Sequence, residues 1–189
     1  ESHRENLTLW LDHFETLWGS VAHAIPSATA FNTKPDVSLY DHSRIVAAMA
    51  TALWRYHHSS DPEKALLSLK SDWEEKKFLL IQSDFYGIQD FIFASGGETQ
   101  TFAAKLLRGR SFYVSILSEC AALRILEDLS LPSTSQVLNA AGKFLIIAPN
   151  TPQVRESLTQ IKQVFDQWFL KHTWGQAGIG INWQPASCN

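Results

Sequence analysis

A chain of 189 residues has room for one large domain or two small ones, and 45% hydrophobic against 19% charged residues is the balance of a folded protein, which excludes disorder. A net charge of −3 excludes any global attraction to nucleic acid, so only a local basic patch would serve such contact. Cys120 and Cys188 build neither a disulfide framework nor a metal-ligand spacing, which points to a reducing cytoplasm, and no apolar run approaches the roughly 20 residues of a membrane span.

No signal peptide is read at the start, and a first residue Glu1 in place of methionine makes a piece of a longer polypeptide the expectation. From Leu7 to Ala24 the apolar residues Leu7, Trp10, Leu11, Phe14, Leu17, Trp18 and Val21 recur three and four apart, the pattern of an amphipathic helix that Pro26 stops. Ser27 to Asp36 reads as a loop. A second helix is expected from about Leu39 to His57, capped by Asp36 or Ser38, with Ile45, Met49, Ala52, Leu53 and Tyr56 inward and alanines that let a neighbouring helix approach. Ser59 to Pro62 forms a break, and the charged stretch to Lys76 reads as a linker or frayed helix.

The run Phe78-Leu-Leu-Ile-Gln-Ser-Asp-Phe-Tyr-Gly-Ile-Gln-Asp-Phe-Ile-Phe93 opens the second part: a buried strand, Lys77 to Gln82, delivering Ser83 and Asp84 to the rim of a sheet. A loop through Ser95, Gly96 and Gly97 leads to a long helix from about Thr101 to Leu129. Its apolar positions are Leu106, Leu107, Phe112, Val114, Leu117, Ala121, Ile125 and Leu126, with Pro132 beyond its end. Gln136 to Asn139 and Lys143 to Ala148 read as strands joined by Ala140-Ala141-Gly142. Thr151-Pro152 opens a helix that turns Val154, Leu158, Ile161, Phe165, Trp168 and Phe169 inward, and Gly178 to Trp183 reads as a last strand. The fold class is α+β: a helical N-terminal segment, then a strand–helix–strand–strand–helix–strand order. That is the ferredoxin-like (βαββαβ) order, with both helices on one face of an antiparallel sheet.

Three strings, Pro35-Asp-Val-Ser-Leu-Tyr-Asp-His-Ser-Arg44, Ser83-Asp-Phe-Tyr-Gly-Ile-Gln-Asp-Phe-Ile92 and Leu107-Arg-Gly-Arg-Ser-Phe-Tyr113, occur in order across about 80 residues. Together they resemble the large subunit of the type III-A CRISPR effector complex, the Csm family, over nearly the whole chain from Trp10 to Trp183. The resemblance implies that residues 1–76 are the closing helices of a circularly permuted HD-type domain and residues 77–189 a first palm domain of the nucleotide-cyclase type. It further implies a parent subunit that cuts single-stranded DNA with its HD site and makes cyclic oligoadenylate from ATP between two palms. Partners would be the other effector subunits, crRNA and target RNA through the complex, with no membrane. Cofactors would be ATP with Mg2+ shared with the second palm, and a divalent transition metal at the complete HD site only.

A nucleotidyl-transferring palm needs two metals about 4 Å apart, held by a carboxylate at the end of the first strand and others at the central hairpin. Asp84 takes the first place, but the hairpin reads Asn139-Ala-Ala-Gly-Lys143 and the family's Gly-Gly-Asp-Asp turn is absent, so no catalytic residue is assigned here. This piece alone is expected to be inactive, the activities belonging to the parent subunit that the resemblance implies. Gly87 and the small Ala141 and Gly142 would let backbone N–H groups approach a phosphate, with Ser83, Asp84 and Gln89 in the matching string beside them. The plainer reading is that Asp84 and Gly87 only shape a strand-to-loop turn. Arg108 and Arg110, with Lys105 before them and Ser111 and Tyr113 beside them, are the candidates for a triphosphate; the plainer reading is a solvated helix face or an ion pair with Asp84 or Asp90. His42 resembles the first-helix metal ligand of HD phosphohydrolases, with the family's His-Asp dyad expected upstream of Glu1, or else it is a packed, hydrogen-bonded histidine. His13 and His23 read as structural, and Trp10, Trp18, Trp54 and Trp168 as core rather than nucleobase platforms. The alternative to a nucleotide-holding palm is a purely structural module that contacts other subunits.

Overall fold

The computed structural model describes residues 2–28, 36–60, 73–93, 103–140 and 142–189. Helix α1 (Leu7–Ala22) starts where Asn6 Oδ1 accepts the Leu9 N–H at 3.1 Å. Helix α2 (Leu39–Ser60) starts at Ser38, whose Oγ accepts from Asp41 N at 3.0 Å and donates to Asp41 Oδ2 at 2.7 Å. Each cap satisfies an N–H that the first turn leaves without a helical partner. Of the two caps expected for α2, Ser38 is the one used. The expected loop at 29–35, the linker at 61–72 and the Ser95–Gly97 loop lie outside the described residues.

The second part runs β1 (Phe78–Tyr86), α3 (Ile88–Phe93), α4 (Ala103–Asp128), a 3-10 turn (Ser133–Ser135), β2 (Gln136–Ala140), β3 (Lys143–Pro149), α5 (Pro152–Thr173) and β4 (Gly178–Ala186). Six-residue α3 has no counterpart in the sequence reading, because one turn and a half carries no periodicity to detect. Helix α5 begins as expected, with Thr151 Oγ1 accepting from Val154 N at 3.3 Å and proline in the first turn.

The four strands form one sheet in the order β2-β3-β1-β4 with every neighbouring pair antiparallel. Side chains alternate across it. Leu79, Ile81, Ser83 and Phe85 of β1 are buried, and Leu79, Ile81 and Phe85 join Phe144, Ile146 and Ala148 of β3 and Ile179 and Ile181 of β4 in the main core. That core is closed by Val114, Ala121, Ala122, Ile125 and Leu126 of α4 and by Val154, Leu158, Ile161, Phe165 and Phe169 of α5. Both long helices thus cover one face. Leu106 and Phe112, expected inward, are exposed instead, because they precede the stretch of α4 that lies over the sheet.

The opposite face is half covered by α2. Ala48 and Ala52 are fully buried against Phe78 and Ile147, with Met49, Leu53, Leu80, Val137 and Ala186 packed around them. The alanine face therefore meets a sheet rather than the helix expected of it, and the small side chains are what let the backbone come close. Ile45, expected inward, is exposed. So are Trp10 and Trp54, at 45% and 61%, against the expectation of core: the α1 stripe turns away from the sheet and stacks on itself, Trp10 on Phe14 at 5.3 Å and Phe14 on Trp18 at 6.3 Å.

Polar contacts fasten the helical segment to the rest. Arg55 Nη1 of α2 donates to Leu129 O at 2.5 Å and Ser130 O at 3.2 Å, satisfying carbonyls at the C-terminal end of α4, where a cation also suits the helix dipole. Glu15 of α1 forms an ion pair with Arg44, Oε1 to Nε 2.8 Å, and Ser133 Oγ lies 2.8 Å from both Glu15 Oε2 and Asp12 Oδ1. Near the end of α2, His57 is buried beside Lys77, whose Nζ pairs with Glu75 at 3.4 Å.

Arg55→Ala is expected to lower stability by about 1.5–3 kcal/mol, the range for a hydrogen bond to a charged group, and to speed amide exchange around 125–131. Unchanged denaturant midpoint and exchange would show that α2 docks without it. Burial, and then the Lys77 ammonium, hold the His57 imidazole below its ordinary value of 6.5. The unfolded chain therefore takes up the proton first as pH falls, so this contribution is full above pH 6.5 and is lost on acidification below it. His57→Gln should flatten the fall in melting temperature below that pH; a slope equal to that of the unsubstituted chain would contradict it.

Candidate functional site

The sequence puts Asp84 at the end of a strand, and the structure moves that end. β1 continues to Tyr86 because β4 pairs with it all the way, Asp84 facing Gly180 and Tyr86 facing Gly178. Pairing with β3 stops earlier, at Gln82 opposite Leu145. There the buried Ser83 replaces the ladder with its side chain: its Oγ accepts the Phe144 N–H at 3.0 Å. Phe85 N then donates to Gly142 O at 3.0 Å. Two hydrogen bonds therefore clamp the β2–β3 turn to β1 on either side of Asp84. On the helix side, Asn139 at the same turn donates to Glu119 of α4.

Two glycines make the turns that flank this rim. Gly87 has φ 73°, and a Cβ there would sit 2.0 Å from Gln176 O, so no other residue fits without moving backbone. Gly142 has φ 81°, with Phe85 Cβ 3.1 Å from where its own Cβ would be. Ala141 lies outside the described residues.

Asp84 points to the face away from α4 and α5 and is 65% exposed, and Lys143 Nζ reaches its Oδ2 at 3.6 Å. The same face carries a shallow open depression of about 500 Å³ lined by Leu80, Gln82, Leu138, Lys143, Asn182 and Gln184 among others. Register places Gln82 directly opposite Asn182 and Leu80 opposite Gln184, so three side-chain amides stand together one step from the ion pair. Gln82, Asn182 and Gln184 are the residues the sequence reading missed. The available signal was the alternation of β4, which puts Asn182 and Gln184 at the first two alternate positions after Gly180.

The other predicted residues gather elsewhere. Gln89 is exposed on α3. Arg110 Nη1 donates to Ile92 O at 3.1 Å, tying α4 to the end of α3, and exposed Arg108 turns its Nε to Ala104 O at 3.2 Å in its own helix. Neither arginine pairs with Asp84 or Asp90; Lys143 is the cation that meets Asp84. Tyr113 stacks on Phe91 at 6.0 Å, while the Ser111 carbonyl accepts from Ser115 Oγ at 3.2 Å. This second group braces α3 against α4. His42 is exposed in the first turn of α2, and among the described residues no three His, Cys, Asp or Glu side chains gather as a metal site, at His42 or at Asp84.

The chain resembles known proteins along most of its length. Residues 77–189 match the family model described as Csm1 subunit domain B. A relative from Thermococcus onnurineus, the CRISPR system single-strand-specific deoxyribonuclease Cas10/Csm1 of subtype III-A, is 36% identical over 151 residues, covering 80% of this chain and 18% of the relative. A Csm1–Csm4 cassette in complex with AMPPNP superposes with a TM-score of 0.78 at 31% identity, over 94% of this chain and 23% of that one. The same cassette in complex with cA4 gives a TM-score of 0.77 at 32% identity and the same coverage. The chain thus spans about a fifth of the length of the curated relatives it matches.

Ser83→Ala would leave the buried Phe144 N–H without an acceptor, and a loss of about 1–3 kcal/mol is expected from chemical denaturation, with faster exchange at Phe144. A loss under a few tenths of a kcal/mol would show that the clamp contributes nothing.

Proposed function

This chain belongs to the Csm1 family, the Cas10-type subunit of subtype III-A CRISPR systems, and from that premise we propose that residues 77–189 form a ferredoxin-like, nucleotide-cyclase-type palm that holds ATP jointly with a second palm. The strand order β2-β3-β1-β4 with α4 and α5 on one face supports the palm, and the AMPPNP-bound and cA4-bound relatives support the nucleotide. The observation that carries the proposal is the uncovered part of the sheet beside Asp84. Its three amides and one ammonium offer hydrogen bonds in both directions and a single positive charge, the chemistry that a base edge and a phosphate require.

In this reading residues 1–76 close a permuted HD-type domain, and the parent subunit combines a single-stranded DNA nuclease with synthesis of cyclic oligoadenylate. The palm described here supplies position rather than chemistry, because its hairpin holds Lys143 where a transferring palm holds carboxylates. Magnesium would arrive with ATP and be held by the second palm; a transition metal would belong to a complete HD site, with His42 as one ligand. Other effector subunits, crRNA and target RNA are the proposed partners, in the cytoplasm. Where the triphosphate runs past the rim, Gly87, Gly142 and Ala141 would approach it with backbone. Gln89, Arg108, Arg110, Ser111 and Tyr113 would shape the α3–α4 side.

A second reading, a docking module without nucleotide, is favoured by the exposed apolar stripe of α1 and by the apolar groove between α4 and α5 at Leu117, Val164 and Trp168. Calorimetric titration of ATP with Mg2+ into the two-palm subunit separates the two. Gln82→Ala and Asn182→Ala are each expected to weaken binding about 5–10-fold, the equivalent of one or two hydrogen bonds. Affinity unchanged in both, with subunit assembly intact, would leave the docking module as the better account.

A further inference from the structure

The residues at the rim do not fit a metal-holding palm, and this misfit is itself informative. A two-metal site gathers several anionic oxygens. Here one carboxylate, Asp84, stands alone at the end of the β1–β3 pairing, and the position that should answer it across the hairpin presents an ammonium 3.6 Å away. Both side chains are more than half exposed, and it is the fold beneath them that brings them together. The backbone under both is pinned, by Ser83 Oγ to Phe144 N on one side of Asp84 and by Phe85 N to Gly142 O on the other. Opposite Asp84 stands Gly180, whose missing side chain leaves the space above the pair open toward the depression.

We propose that the Asp84–Lys143 pair takes the place of the divalent ion in this half of the site: Asp84 holds the ammonium rather than a metal, and the ammonium meets an anionic phosphate oxygen directly. An ammonium carries three N–H donors, and at 3.6 Å Asp84 pairs with it by charge without taking up a donor, so they stay open to the incoming oxygen, with the Gln82 and Asn182 amides one register step away. The positive charge that attracts phosphate also repels Mg2+ from the Asp84 carboxylate, which keeps this half-site free of metal. The proposal rests on the nucleotide-binding reading above for its phosphate, but its metal-excluding part stands on the ion pair alone.

Two measurements test it. Manganese, followed by electron paramagnetic resonance, is titrated into this chain: the unsubstituted chain should show no site tighter than the millimolar range, whereas Lys143→Asp should bind at least about tenfold more tightly and lose that gain when Asp84→Asn is added. Equal manganese affinity of the unsubstituted chain and Lys143→Asp would overturn the replacement. ATP in EDTA is then titrated into the two-palm subunit. Lys143→Gln should bind about tenfold more weakly, and Lys143→Arg should restore most of the affinity. Equal affinity of Lys143→Gln and the unsubstituted subunit would overturn the phosphate role while leaving the palm a nucleotide binder. Absence of ATP binding with and without Mg2+ would instead remove that nucleotide reading and the phosphate role with it, and manganese alone would then decide whether the pair excludes metal.

Discussion

Strand β1 is hydrogen-bonded along both edges, to β3 on one side and β4 on the other, and this double pairing sets the position of every other element. A strand paired on both sides cannot slip by one residue without turning its buried set outward. Leu79, Ile81, Ser83 and Phe85 therefore face α4 and α5, and Leu80, Gln82, Asp84 and Tyr86 face the other way. The first set builds the core. The second set, together with Asn182, Gln184 and Lys143, builds the only chemistry-bearing strip described on the sheet, and α2 leaves that strip open because it covers only the end near Phe78 and Ile147.

The rim at Asp84 shows how one small side chain can decide a site. Ser83 is buried, and by accepting the Phe144 N–H it ends the ladder with β3 without leaving a backbone donor unsatisfied. The hairpin can then curl toward β1 at Gly142 and bring Lys143 within reach of Asp84. A carboxylate that reads, in isolation, as a metal ligand becomes the counter-ion of a lysine. The carboxylate of the rim is thereby met by a cation of the chain itself, although Asp84 is unchanged.

The arginines show how little a charge says about its partner. Arg108-Gly-Arg110 reads as a phosphate clamp because guanidinium forks so often serve that role; in the fold Arg110 also gives one donor to the Ile92 carbonyl and Arg108 one to Ala104 of its own helix. Arg55, in a stretch with no motif at all, carries the contact that ties α2 to the end of α4. Charge in a sequence announces an interaction without naming its partner. The partner here is 74 positions away and is a backbone carbonyl, which every residue possesses.

Periodicity and punctuation in the sequence determined the helices α1, α2, α4 and α5, the approximate strands, the Thr151-Pro152 start of α5 and the turn at Gly142, because each depends on residues a few positions apart. Family membership was also legible there, in three short strings around Asp41, Asp84 and Arg108. Tertiary structure alone decided that the alanines of α2 face a sheet, that Trp10 and Trp54 stay exposed, that Gln82, Asn182 and Gln184 share a face, and that Lys143 meets Asp84. Those outcomes join positions about 25 to 100 residues apart or turn on which face finds a partner, and pairing of that kind is settled by the packing of the whole chain rather than by any local pattern.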